Sequence, residues 1–557
     1  MKHIKIVWAT LLLSVNIFPQ WGNNPDINLQ LTNWGDAPIS AVEDGRGGAF
    51  ISTSLNVPLN EPPWSGKLPY LLWVDKYGYH KITTPYRIGG YSSKHRDMKL
   101  MKDGTGNYFA IFVDQFFAFG PPSIYKDRII IQKLDPLGNK LLGEGVYIST
   151  DTVMQHTFFE AVSDGKGGCF IYYEAMDSLG STNDNGQRLV QYISSNGERL
   201  WGDKGVTLYD GFIRTSIYSN YLICDNANGL IVHYENDQDN INYLSNLDST
   251  GFIKWEIPTR EFYATSRLVL LNQNKFAIIG LKVYENPLSV KLMFDKISLS
   301  GIYEDTVITL NDSMLYAERV ECAKVIDDKI FIEWYERPQS TIFINYIQKI
   351  DSNGIKYFGN KGIQVLDSLG SWAKMFFADS SIIIVTDHYA NTIDFEGNNL
   401  WEPNILQYTT RYMGYYDVVS DDNGGFIAFW LQYLDGIWGQ QVNANGQLGV
   451  VTNIFELPRE ISPDNFKLYQ NYPNPFNPVT TINYTLPTSG YVELKVFDVL
   501  GREIIKLERG EKSEGLHSVI FDGRHLSSGV YFYTILVKES TSNNVIYKST
   551  KKMLSIK

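Results

Sequence analysis

Five carboxylates are the residues whose type and spacing could best do chemistry together. Asp114, Glu174, Glu235, Glu336 and Asp387 follow the short runs Phe-Val, Tyr-Tyr, His-Tyr, Trp-Tyr and Val-Thr, each eight to eleven residues after a turn rich in Asp or Asn. Recurrence at one phase of a repeat would set them at one height on a ring, beside aromatics. Two readings are open. As a ring-shaped mouth, they would hold a cation or a polar ligand such as a sugar, with aromatics stacking and carboxylates accepting hydrogen bonds. As local caps, each would satisfy a turn inside its own repeat. Only five copies carry the group, which favours caps.

Other chemistry is sparse. The eight histidines are scattered, and the chain has no His-Glu-x-x-His, no Gly-x-Ser-x-Gly elbow, no phosphate loop and no dinucleotide fingerprint. His233 sits on an apolar run and reads as a packed or hydrogen-bonded side chain. Asp387-His388 could orient a base, but neighbours along a strand point to opposite faces. Asn236-Asp-Gln-Asp239 lacks the glycine and distal Glu of a calcium loop, so a solvated hairpin tip is expected. Cys169, Cys224 and Cys322 show neither disulfide nor zinc spacing and read as buried apolar thiols, the first two near equivalent points of a repeat. No catalytic residue, metal site or cofactor is expected.

The elements that must position these groups come from an internal repeat over residues 21–452. One signal is an Asp-rich turn before an apolar strand, as in Asp44-Gly-Arg-Gly-Gly-Ala-Phe-Ile51, Asp103-Gly-Thr-Gly106, Asp164-Gly-Lys-Gly-Gly168, Asp225-Asn-Ala-Asn-Gly229 and Asp421-Asp-Asn-Gly-Gly425. The other is a hairpin turn ending in Gly78, Gly138, Gly197, Gly251, Gly301, Gly354, Gly397 or Gly446. Glycine supplies positive φ, and Asp or Asn closes the turn through its side chain. Successive glycines of the second signal lie 43 to 60 residues apart, room for four strands. That is the size and grammar of a β-propeller blade, with about eight blades expected and seven as the alternative. A long open β-array is the competing architecture. The ends favour a ring: Trp21-Gly-Asn-Asn looks like the copy ending Trp201-Gly-Asp-Lys, displaced to the front, while the last copy stops without it. A strand near Ile27 to Thr32 would then complete the copy containing Phe426 to Trp430 and hide two sheet edges.

The last hundred residues differ. Asn471-Tyr472-Pro473-Asn474-Pro475-Phe476-Asn477-Pro478 is an extended, proline-fixed lead-in. Alternating runs follow, punctuated by glycines that include Gly501 beside Arg502, and Gly529 before Val530-Tyr531. This pattern gives a small antiparallel β-sandwich. The lead-in, Val496-Phe-Asp-Val-Leu-Gly-Arg502, Leu526-Ser-Ser-Gly-Val-Tyr531 and the closing Lys551–Lys557 resemble the type A C-terminal sorting domain of type IX (Por) secretion cargo. The resemblance implies export from a Gram-negative cell of the Bacteroidetes kind, with the type IX machinery as partner. An adhesion-type sandwich would share the alternation but not the Asn-Tyr-Pro-Asn-Pro-Phe-Asn-Pro string. Lys2 and Lys5 before Ile6–Phe18 read as a secretory signal peptide over residues 1–20, since the apolar stretch is too short to span a bilayer. No later segment reads as a transmembrane anchor.

The whole reads as all-β: signal peptide 1–20, propeller 21–452, linker 453–463 and sorting domain 464–557. From Leu457 onward 13 Lys/Arg face 10 Asp/Glu, which leaves the rest of the chain at a net charge of −15. Such an acidic body gives no electrostatic reason to bind nucleic acid. Two function classes remain: an exported, non-catalytic propeller that binds a glycan, protein or surface, and a secreted propeller hydrolase or lyase acting on polysaccharide. Paired carboxylates in a central pocket would favour the second.

Overall fold

The protein, studied as a computed structural model, is described at residues 21, 28–32, 36–56, 67–78, 86–88, 98–118, 124–151, 154–176, 184–213, 221–225, 229–239, 241–260, 265–285, 288–310, 317–339, 342–369, 373–378, 380–401, 406–409, 416–432, 436–449, 466–468, 471, 476, 478–499, 501–512, 515–539 and 544–555. The expected signal peptide and linker lie outside these residues. The chain divides into two compact units, residues 1–451 and 452–557.

The first unit is a β-propeller. Its described residues form eight four-stranded antiparallel sheets, seven of which take their strands in chain order. Blades 1 to 7 span residues 36–87, 98–147, 155–213, 221–258, 265–309, 317–369 and 374–407, and blade 8 is built on 416–442. Blade 3 shows why the sequence folds this way. Asp164 ends the first strand, and its Oδ1 accepts the amides of Lys166 (2.7 Å) and Gly168 (2.8 Å). Its Oδ2 accepts the Tyr192 hydroxyl from the third strand at 2.7 Å, tying the turn across the blade. Asp44, Asp103 and Asp421 hold their turns in the same way, with Trp73, Lys133 and Gln441 as third-strand donors.

Tryptophans lock neighbouring blades together. Trp201 of blade 3 donates to Ser249 O (3.1 Å) in the second hairpin turn of blade 4, Trp255 to Leu299 O (2.8 Å) in blade 5, and Trp401 to Ala444 O (2.8 Å) in blade 8. Each indole lies against the turn glycine. A Cβ on Gly251 (φ 86°) or Gly446 (φ 74°) would come within 2.9 Å of the ring, so only glycine fits.

Trp21 does the same for blade 8: its indole donates to Lys76 O (2.9 Å) in the turn that ends at Gly78 of blade 1. Leu29–Gln30 then pairs with Gly436–Val442, Leu29 opposite Gly439, as the fourth strand of blade 8. Asn28 donates to Gln440 Oε1 (3.1 Å), and the Ile437 amide donates to Thr32 Oγ1 (3.1 Å). On the inner side, the Ala41 amide donates to Asp417 Oδ2 at 2.8 Å, joining blades 1 and 8. The ring is closed by its own first residues, as the displaced Trp21-Gly ending implies; Ile27 lies outside the described residues.

The second unit is a sandwich. Lys467–Leu468, Val479–Leu486 and Gly515–Asp522 form one sheet; Glu503–Lys512, Gly490–Phe497, Gly529–Lys538 and Val545–Ser555, in that spatial order, form the other. Leu468, Ile482, Tyr484, Val492, Val496, Tyr533, Ile535 and Met553 fill the space between them.

Candidate functional site

Antiparallel order puts the end of every second strand on one rim of the propeller, and four of the five carboxylates lie in the C-terminal halves of second strands. Asp114 belongs to Tyr108–Ala118, Glu174 to Cys169–Met176, Glu235 to Gly229–Asn236 and Glu336 to Lys329–Gln339, while Asp387 follows Ser381–Val385 by two residues. Those four sit on second strands, one strand back from the first strands, among the blades. Asp114 is fully buried, opposite Arg128, and its Oδ2 accepts the Tyr147 hydroxyl at 2.7 Å. The Arg128 guanidinium lies over the Tyr147 ring, 3.9 Å from its centre. Glu174 faces Arg188, whose Nε is 3.2 Å from Oε1 and whose Nη2 is 2.8 Å from Asp237 Oδ2 of blade 4. Burial nevertheless raises the Glu174 carboxyl above its ordinary range, with Arg188 opposing it. Glu235 adds negative potential at Arg188, so the structure gathers Glu174, Glu235 and Asp237 around one guanidinium. Glu336 is half-buried, and burial raises its carboxyl, with Lys361 opposing it.

Two sequence expectations need correction here. Asp387 and His388 do touch, Oδ1 to Nδ1 at 3.1 Å, because residues 386–388 have left the strand and the opposite-face rule no longer applies. Of the expected solvated tip at 236–239, Gln238 and Asp239 are exposed, but Asp237 is 3% exposed and serves the Arg188 cluster. His233 is hydrogen-bonded in the core, its Nδ1 3.0 Å from Ser266 Oγ. Cys169 is buried, but Cys224 and Cys322 are only partly covered. Cys169 follows its turn whereas Cys224 precedes one, so they are not equivalent.

The first strands of successive blades line the axis. Asp36–Glu43, Met98–Lys102, Gln155–Ser163, Tyr221–Asp225, Thr265–Asn272, Ala317–Ile326, Lys374–Phe377 and Tyr416–Ser420 are the eight. Ion pairs join them: Lys102 to Glu43 (2.9 Å), Lys99 to Glu160 (2.6 Å), Arg319 to Glu321 (3.1 Å), Arg267 to Glu321 (3.6 Å) and Lys374 to Asp417 (2.7 Å). Four of the five cross between blades, so no spacing in the sequence announces them; Arg319 and Glu321 share one strand. Behind Glu321, Glu333 stands opposite Cys322, fully buried, and neither carboxyl oxygen has a hydrogen-bond partner among the described residues. Burial, and then the nearby Glu321 charge, push its carboxyl well up, which favours the protonated form. Near the axis a cavity of about 230 Å³ is lined by Glu43, Cys322, Lys324, Met375, Phe376, Phe377 and Val418 to Ser420.

In the sandwich the motif residues are fasteners. The Asn471 amide donates to the Tyr533 hydroxyl (2.7 Å) and its Nδ2 to Thr480 Oγ1 (2.9 Å). Phe476 is buried, and its amide donates to Leu554 O (2.9 Å) on the terminal strand. Pro478 O accepts the Gly523 amide at 2.8 Å. Gly501, at φ 76°, closes a turn on Asp498, and Arg502 Nε reaches Asp498 Oδ2 at 2.6 Å. Gly529 opens a strand opposite Ser555, and the Tyr531 hydroxyl donates to Ser527 O (2.8 Å). Tyr472, Pro473, Asn474, Pro475 and Asn477 lie outside the described residues.

Residues 470–549 match the family described as the secretion system C-terminal sorting domain. No curated protein matches the chain. Among solved structures it is similar to the β-propeller domain of the Trilobed protease from Pyrococcus furiosus, at 9% identity, 65% of this chain, 98% of that chain and a TM-score of 0.36. It is also similar to Pyrococcus horikoshii acylaminoacyl peptidase, at 9% identity, 70% of this chain, 57% of that chain and a TM-score of 0.32. A third is an exo-β-1,3-galactanase from Phanerochaete chrysosporium, at 12%, 85%, 97% and 0.26. The terminal unit is a type IX sorting domain, which implies interaction with that secretion machinery and export to the cell surface or extracellular space. Among the described residues no helix is long and apolar enough to cross a membrane.

Proposed function

We propose that this β-propeller with a type IX sorting domain is an exported, non-catalytic binding scaffold of a Gram-negative bacterium, displayed on the surface or released after passing the periplasm. Its ligand is an extracellular glycan, protein or surface. In this reading residues 1–20 lead the chain across the inner membrane, residues 453–463 link the two folded units, and the sorting domain is read at the outer membrane.

The observation that carries this reading is how the propeller spends its carboxylates. Asp114, Glu174, Asp237, Glu321 and Asp417 are engaged by Arg, Lys or Tyr of the same or the next blade. Glu333 is sealed from solvent and cannot reach a substrate. Acid–base hydrolysis needs two carboxyl groups that both face the scissile bond, and the Glu321–Glu333 neighbourhood does not offer that.

Two measurements test the proposal. A signal peptide, a fluorescent protein and residues 464–557 in series should place the reporter on the surface or in the medium of a type IX-competent host. The secreted propeller, screened on a glycan array and against polysaccharides by reducing-end assay, should bind without releasing product. Steady product release from any polysaccharide would overturn the scaffold reading and leave the export reading intact.

A further inference from the structure

The first strands of the eight blades carry six basic residues: Lys99, Lys102, Arg267, Arg319, Lys324 and Lys374. Five have a carboxylate within 3.6 Å, Arg267 and Arg319 sharing Glu321. Lys324 is the exception: it has no carboxylate partner among the described residues, and its ammonium lies 4.9 Å from the centre of the Phe377 ring. It lines the 230 Å³ cavity by the axis. There, Met375, Phe376 and Phe377 make an apolar floor, Glu43 offers carboxylate oxygens whose charge Lys102 already balances, and Ser420 supplies a hydroxyl.

We propose that this cavity is a binding subsite for a single carboxylated sugar ring, a uronate. The chemistry matches part by part. Lys324 is exposed and without a carboxylate partner among the described residues, so its ammonium favours an anion, and a ligand carboxylate supplies the ion pair that the other first-strand cations already have. The apolar face of a sugar ring packs on aromatic and thioether surface. Glu43 and Ser420 meet ring hydroxyls, Glu43 as acceptor without adding net charge. The volume suits one ring rather than a chain, so the longer glycan would leave along the axis. The subsite rests on the reading of the propeller as a binding scaffold and names the ligand class it takes.

Calorimetric titration of the full chain with methyl β-D-glucuronide and methyl β-D-glucoside is the test. The glucuronide should bind about ten-fold more tightly at low salt, and the preference should shrink as salt rises. Lys324→Met should abolish the preference, Lys324→Arg should keep it, and Phe377→Leu should weaken both sugars together, with thermal melts confirming the fold. Equal binding of the two sugars, or a preference that survives Lys324→Met, overturns the subsite. Failure of both sugars to bind overturns it too, and the glycan array then decides the wider scaffold reading on its own.

Discussion

The two units bury their strands differently, and the difference explains how each is held. In the propeller the second strands are covered on both faces: all eight residues of Cys169–Met176 are buried, and seven of the eight in Gly229–Asn236. In the sandwich Gly490–Phe497 alternates, one residue buried and the next half-buried, along its whole length. A blade has a neighbour on each side, so its middle strands read as near-continuous apolar runs, whereas a two-layer sandwich buries one face of each sheet. The ring spreads its stability over eight similar interfaces joined at one closure. The sandwich depends on its last strand, which holds both Gly529–Lys538 and the lead-in at Phe476.

Breaking each unit at its closure should show this. Removing residues 21–33 strips the fourth strand and the Trp21 lock from blade 8, and should abolish the propeller's cooperative melt while the sandwich still unfolds at its own temperature. A propeller melt unmoved by that truncation would mean that closure adds nothing. Removing Lys551–Lys557 takes away Met553 and the partner of Phe476, and should unfold the sandwich and block export, measured by cell fractionation, with the propeller melt unchanged.

Smaller changes sharpen the comparison within the ring. Arg188→Met leaves Glu174 and Asp237 buried without their cation and should cost about 3–5 kcal/mol in denaturant unfolding. His156 gives a pH-dependent effect. It is buried between blades 2 and 3, its Nδ1 accepts the Ile129 amide (3.3 Å), and burial, with Arg128 nearby, lowers its pKa from 6.5 to about 4. The unfolded chain takes up that proton near pH 6.5 and the folded chain only near pH 4. Stability therefore falls as pH drops through this window, by up to about 3 kcal/mol. His156→Gln should flatten the propeller's melting temperature between pH 7 and 4; an unchanged slope would assign the acid sensitivity elsewhere.

Much of the fold was legible because turns are local. Asp164, Gly165, Gly167 and Gly168 carry their own geometry, so their recurrence marks strand ends whatever surrounds them. Closure was legible because Trp21-Gly repeats a recognisable ending. The surroundings of Asp114 and Glu174 were not, because their partners come from other strands and other blades: Tyr147 lies 33 residues from Asp114, and Asp237 belongs to the blade after Arg188. Asp387 beside His388 shows the limit of strand rules, which fail two residues past the strand. Lys324 stands out only when every other axial cation has been matched to its carboxylate.

The pairing of Leu29 with Gly439 spans 410 residues, so the clasp of the ring joins two segments far apart in the chain. Blades 1 to 7 can assemble from contacts close in sequence, but the last blade waits with an open edge until the front of the chain returns to it. During export this gives the cargo an order of events. A chain held extended at either end keeps an unclasped, pliable arc, and the closed ring appears only when both ends are free on the same side of a membrane. Closure thus requires that residues 28–32 and 436–442 be released into the same compartment.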